Sequence, residues 1–207
     1  MVRNFVSPAY ISRIETAKQE GYQFEKDFFG ISSKHDHRKG YHDDGWITFK
    51  EGLSETIRRQ NVFRWDPRRP HTAFARNIFK AVKDSMSQKI NGELFLYCAI
   101  DTALDREFGI DGFFVFENNF QFLVTFDLAR SDNWHKRKSL KADILVTKGD
   151  MLSNRKVREI GQAISGRFMT AINRKNKKIK KMKEKKYRRE MRNKKRRIGY
   201  STLRVSA

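Results

Sequence analysis

The chain has 207 residues, 38% of them apolar and 17 of them Phe, which suits one ordinary domain with appendages and excludes a chain disordered throughout. Its 45 Lys and Arg against 24 Asp and Glu give a net charge of +21. Such an excess repels itself unless a polyanion accepts it, and nucleic acid is the commonest polyanion. No run of about 18 apolar residues is present to span a bilayer, residues 1 to 9 lack the apolar centre of a secretory signal, and the single cysteine, Cys98, excludes an intrachain disulfide. The expectation is a cytoplasmic protein associated with nucleic acid, neither secreted nor in a membrane.

In chain order, Pro8 near a first turn and Ile11, Ile14 and Ala17 on one side predict a helix over 8–20 that stops at Gly21. The polar run from Gly30 to Gly45 reads as a loop. A second helix opens near Thr48 and ends by Gln60, before a loop around Asp66 and Pro70. From His71 to Ile90, Phe74, Ile78, Val82 and Met86 recur at spacing four, an amphipathic helix with Thr72 as cap. Asn91 and Gly92 break it, and a further helix is expected from Glu93 to Glu107, with Gly109 as its C-terminal punctuation.

The period then shortens to two. Phe113 to Phe116 and Phe120 to Phe126, separated by Glu117, Asn118 and Asn119, predict a hairpin over 111–127, with Phe120, Phe122, Val124 and Phe126 on one face. A polar loop over 130–139 leads to a strand from Lys141 to Thr147. After Asn154, Val157, Ile160, Ile164, Phe168 and Ile172 restore a helical period able to pack on a sheet.

The fold class expected is therefore α+β. A small mixed sheet of about three to four strands is flanked by helices, and the organisation is a helical region over 1–90, an α/β core over 91–172 and a basic extension over 173–207. Between Arg174 and Arg197 stand 16 basic residues and two acidic ones, Glu184 and Glu190. Pairing along the helix cannot neutralise that excess. Arg174, Lys177, Lys178, Lys180, Lys181, Lys185, Arg188, Arg189, Arg192, Lys195 and Arg196 are accordingly expected to meet phosphates, with counterion release driving affinity.

The chemical content lies between residues 93 and 143. Gly109-Ile110-Asp111-Gly112-Phe113 puts an acid at the start of one strand, and Val124-Thr125-Phe126-Asp127-Leu128-Ala129 puts a second on the next. This order resembles the core of the PD-(D/E)XK nuclease superfamily. The resemblance covers about 50 residues and rests on order and spacing, with no invariant string. It implies a metal-dependent nuclease, with Asp111 and Asp127 as catalytic acids and metal ligands and Mg²⁺ or Mn²⁺ as the ion. In that family an upstream helix often adds a Glu; here Glu93, Tyr97, Asp101 and Asp105, spaced by four, would share one helical face and aim Asp101 or Glu93 at the metal.

The family lysine falls at Ala129. Lys136, Lys138 or Lys141 would replace it, with Lys141 preferred because it begins the next strand. Small size and a compact core suit a phage-encoded or mobile-element member. The competing reading is a non-catalytic DNA- or RNA-binding protein with the same fold, for which Ala129 is the chief reason. DNA is favoured over RNA as partner.

Trp134, among His135, Lys136, Arg137 and Lys138, combines a stacking surface with cations. Trp65 has a similar setting, although there an anchor to the core is the better reading. His35, His37 and His42 match no zinc spacing. Gly161 and Gly166 lack the lysine of a phosphate-binding loop, and no serine sits in a nucleophile elbow.

Overall fold

A computed structural model describes residues 8–30, 47–87, 90–117, 119–129 and 141–203, with side chains described for all of these except 8–15, 17–18 and 193–203. The elements are α1 (Pro8–Phe29), α2 (Phe49–Arg59), α3 (Ala73–Ser87), β1 (Leu94–Cys98), α4 (Ala103–Phe108), β2 (Gly112–Phe116), β3 (Asn119–Ala129), β4 (Ile144–Thr147), α5 (Lys148–Met151) and α6 (Asn154–Leu203). The architecture is α+β, with four strands in the order β1-β2-β3-β4. β1, β2 and β3 form an antiparallel meander, and β4 runs parallel to β3.

Local chemistry explains the element ends. Thr48 caps α2 with a reciprocal box, its hydroxyl accepting from Glu51 N while the Glu51 carboxylate accepts from Thr48 N, which satisfies amide groups a helix start leaves open. Thr72 accepts from Ala75 N at 3.2 Å to open α3, and its hydroxyl donates to the Phe28 carbonyl, fastening α3 to the end of α1. α1 does not stop at Gly21. It continues because Phe24, Phe28 and Phe29 bury their rings completely or nearly so, and it ends at Gly30, whose φ of 70° favours glycine.

The helix expected over Glu93–Glu107 is corrected to a strand, a tight bend and the short α4. Leu94-Phe95-Leu96-Tyr97-Cys98 is a continuous apolar run, and periodicity alone does not separate a buried strand from a buried helix. Every residue of β1 is buried because both faces of the sheet are covered. Phe95 and Tyr97 join Leu53, Leu104, Phe113 and Val115 on one face. On the other, Phe126 packs against Phe28, Phe29 and Phe114. Burying each such side chain is worth about 1.5–3 kcal/mol.

The outer edge of β1 is closed by polar groups that substitute for a neighbouring strand. Gln60 Nε2 donates to the Cys98 carbonyl at 2.8 Å and Gln60 Oε1 accepts from Cys98 N at 3.0 Å. Leu96 N donates to the Pro67 carbonyl at 2.8 Å, and Trp65 Nε1 donates to the Leu96 carbonyl at 2.7 Å. These four bonds occupy the backbone groups that make an open edge prone to pairing with another chain.

β4 begins at Ile144 rather than Lys141. Asp143 is drawn away from strand pairing: its Oδ2 accepts from Thr125 N and Oγ1, and its Oδ1 pairs with Arg167 Nη1 at 2.8 Å. In α6, Val157, Ile164 and Phe168 are buried as the periodicity predicts. Gly161 meets α3 so closely that an added Cβ would lie 2.8 Å from the Ala81 carbonyl carbon. The chain forms two compact units, residues 1–168, which hold both the N-terminal helices and the sheet, and residues 169–207.

Candidate functional site

The end of the sheet where β1 finishes and β2 begins gathers carboxylates. After β1 the chain turns through Asp101, which adopts φ 59°, a left-handed conformation that Asp tolerates better than most residues. Asp101 N donates to Asp105 Oδ2 at 2.8 Å, which holds the first turn of α4 over the sheet. Gly109, with φ 60°, ends α4 with a left-handed cap, as the sequence predicts. That cap returns the chain at once to β2, so Asp105 and Asp111 are brought together by the shortness of α4.

Asp111 is 3% exposed. Its Oδ2 accepts from Leu128 N at 2.5 Å, while its own amide donates to the Phe126 carbonyl at 3.1 Å. Asp111 stands one residue before, and Asp127 one residue after, the paired Gly112 and Phe126 at the end of the hairpin. The adjacent Gly112 has no room for a side chain, since a Cβ there would stand 2.4 Å from the Phe126 ring and 2.7 Å from that of Phe29.

Burial pushes the Asp111 carboxyl well above the usual range, and the charges of Glu25, Asp105 and Asp127 push it in the same direction. Asp105 is raised to about 6, first by burial and then by the Asp101 and Asp127 charges, against a hydrogen bond from the Asp101 amide and one shared with the Asp111 carboxyl. Such upward shifts are what like charges on a poorly hydrated surface produce. Acids from α1, α4, the residue before β2, β3 and the bend after β1 therefore act on one another.

Asp111 and Asp127 are thus brought together, as the sequence anticipates. Asp101 lies beside Asp105, with Tyr22 donating to its Oδ2 at 3.4 Å. Glu93 belongs elsewhere: it opens β1 at the opposite end and pairs with Arg68 at 3.4 Å. The face of Glu93, Tyr97, Asp101 and Asp105 fails with the helix that was to carry it.

The sequence reasoning missed Asp105 as a member of the central pair, and it missed Glu25. The helix that contributes a glutamate is α1, far upstream, and its only signal was the apolar stripe of Phe24, Phe28 and Phe29 beside Glu25. Lys141, expected as the substitute lysine, donates its ammonium to the Glu107 carbonyl at 2.9 Å, at the end of α4. Ala129 is buried on β3 opposite Thr147.

Among the described residues no three His, Cys, Asp or Glu side chains are grouped to hold a metal ion. Trp134, Lys136, Arg137, Lys138 and the three loop histidines lie outside the described residues. Trp65 is 3% exposed, against Phe29 and His71, and so anchors its loop. From Arg174 to Arg192 the basic residues expected to meet phosphates line α6 with exposed side chains; Lys195 and Arg196 fall within its span. No helix among the described residues is long and apolar enough to cross a membrane.

No family model, curated protein or solved structure matches the chain.

Proposed function

We propose that the chain is a metal-dependent nuclease, cleaving phosphodiester bonds at Asp105, Asp111 and Asp127 while the basic segment 174–197 holds the polymer. What carries this reading is the mutual influence of Asp105 in α4, Asp111 just before β2 and Asp127 in β3 at one end of the sheet, with the Asp105 and Asp111 carboxyls sharing a hydrogen bond and Glu25 acting on Asp111. A purely structural role is a poor explanation for a buried carboxyl surrounded by like charges, because each neighbour destabilises it.

The donor chemistry fits Mg²⁺ or Mn²⁺, since every group is a hard oxygen. Their mutual repulsion is what a divalent cation relieves. Asp111 and Asp127 would hold the ion. When bound, it supplies charge stabilisation at the phosphoryl oxygens and acidifies a nearby water.

The protein's own groups divide the remaining work. Asp111, fixed by the Leu128 amide, sets the geometry of the pair. Asp105, near pH 6, is ionised at neutral pH yet basic enough to accept the proton that an attacking water loses. Ile110 and Leu104, the neighbours in sequence of Asp111 and Asp105, are buried in the core and anchor the two acids there.

The test is cleavage of labelled DNA and RNA by wild type and an Asp111→Ala, Asp127→Ala double variant, with Mg²⁺, Mn²⁺ or EDTA. The reading expects metal-dependent cleavage by the wild type alone. No cleavage by the wild type with any ion overturns it.

A second reading, a non-catalytic nucleic-acid-binding protein, is favoured by a specific observation: the position two residues after Asp127, where the nuclease lysine would stand, is the buried Ala129. Binding of both polymers without cleavage is its signature.

A further inference from the structure

The basic segment of α6 is not uniformly basic around its circumference. Each residue of an α-helix turns about 100°, and on that wheel Arg174, Lys177, Lys178, Lys181, Lys185, Arg188 and Arg192 fall within one arc of roughly 100°. No residue of another kind between positions 174 and 192 enters that arc. Both acids, Glu184 and Glu190, lie outside it, with Lys175, Lys180, Lys183, Lys186 and Arg189. The seven are exposed, and among the described residues none has a carboxylate within 4.0 Å. Outside the arc, Lys186 pairs with Glu190 at 3.9 Å.

We infer that this arc is the contact face of the segment, and that it follows one phosphate strand of a nucleic acid lengthwise without reading its sequence. The inference rests on the proposed nucleic-acid partner and adds which face binds and how. From Arg174 to Arg192 the helix rises about 27 Å, a length over which one strand of a duplex presents about eight phosphates. Seven cations match that number. Seven cations spaced along the phosphates of one strand contact the backbone, which carries no sequence information of its own.

The apolar side chains argue against a membrane surface as partner. Ile179, Met182, Tyr187 and Met191 are exposed by 41%, 71%, 62% and 41%. Ile179 and Met182 lie to one side of the basic arc, Tyr187 and Met191 to the other, so they form no single face to insert between lipids.

Two variants of equal charge decide the matter. One replaces Arg174, Lys178, Lys181, Lys185 and Arg188 by Gln; the other replaces Lys175, Lys180, Lys183, Lys186 and Arg189 by Gln. Glutamine is a good helix former, and circular dichroism checks that both helices persist. Binding to a mixed-sequence DNA duplex, to single-stranded RNA and to phosphatidylserine vesicles is measured by fluorescence anisotropy or sedimentation, in EDTA and across a salt series.

The arc variant is expected to lower the salt slope on duplex DNA by about 4.5, or about 3.5 on a single strand. The other variant should lower it by less than about 1. The tighter wild-type binding at equal salt identifies the preferred polymer. Equal losses in the two variants, or tighter binding to vesicles than to either polymer, overturn the inference. Because EDTA removes the metal, the outcome is independent of cleavage, and the nuclease reading stands or falls separately.

Discussion

Asp105→Asn separates the energetic cost of the acidic cluster from its chemistry. Asparagine keeps an oxygen to accept the Asp101 amide, which Asp105 binds at 2.8 Å, but removes the ionisable proton. The Asp105 carboxyl rises from 3.8 to about 6 on folding. Between those two pH values the folded chain holds a proton that the unfolded chain has released, so stability is full below about pH 4 and falls as pH rises through 6. At about 1.36 kcal/mol for each pH unit of displacement, the wild type carries a penalty of about 3 kcal/mol above pH 7, and about 2 once water on the exposed side of Asp105 is allowed for. The variant escapes it.

Thermal melts of both proteins in EDTA from pH 4 to 8 should show small differences at pH 4. By pH 7.5 the variant should melt about 4–8 °C higher, taking about 2 kcal/mol and 2–4 °C per kcal/mol for a unit of this size. The comparison cancels carboxylates common to both proteins. A difference that is constant with pH, or a variant less stable at pH 7.5 than at pH 4 relative to wild type, refutes the reasoning.

Other parts of the fold make independent predictions. Gly161→Ala places a Cβ 2.8 Å from the Ala81 backbone and should cost about 1–3 kcal/mol, read as a lower denaturant midpoint. Gln60→Ala leaves both the Cys98 amide and carbonyl without the partners at 3.0 and 2.8 Å; a loss of about 2–4 kcal/mol in the same measurement is expected. The Cys98 thiol, wholly buried and with its pKa raised by that burial, should resist a thiol reagent at pH 8 and react at once in denaturant. Slow or absent acceleration on unfolding would contradict its burial.

The parts of the fold legible in the sequence are those whose signal is local. Thr48 and Glu51 announce the start of α2 by side-chain bonds to their own backbone, and Gly109 announces a left-handed cap. The hairpin is legible because Phe122, Val124 and Phe126 alternate with residues of the other face. β1 was not legible, since Leu94 to Cys98 is apolar at every position and the covering of its edge by Gln60, Trp65 and Pro67 comes from 29 to 38 residues away. Strand β4 was placed three residues early because Asp143 is claimed by Thr125 and Arg167, partners that no local pattern reveals.

The site divides in the same way. Asp111 and Asp127 could be found because a hairpin's register is short-range, and a two-residue pattern fixes the face of each. Asp105 joins Asp111 only through the turn of α4, which exists only once 94–98 is a strand. Glu25 arrives from α1 through the packing of Phe28 and Phe29 on Phe126. Long-range packing of aromatic rings leaves no trace in the spacing of the acids it brings together.

The central claim is that these carboxylates perform phosphodiester hydrolysis. It is tested most directly by single-turnover cleavage of a labelled DNA duplex by the full chain in Mg²⁺, comparing wild type with Asp127→Asn at equal substrate occupancy. The account predicts that the wild type cleaves, that EDTA stops it, and that the variant binds the duplex as before yet cleaves at least about 100-fold more slowly, the scale of a lost catalytic group. Equal rates in the two proteins, or no cleavage by the wild type, would contradict it.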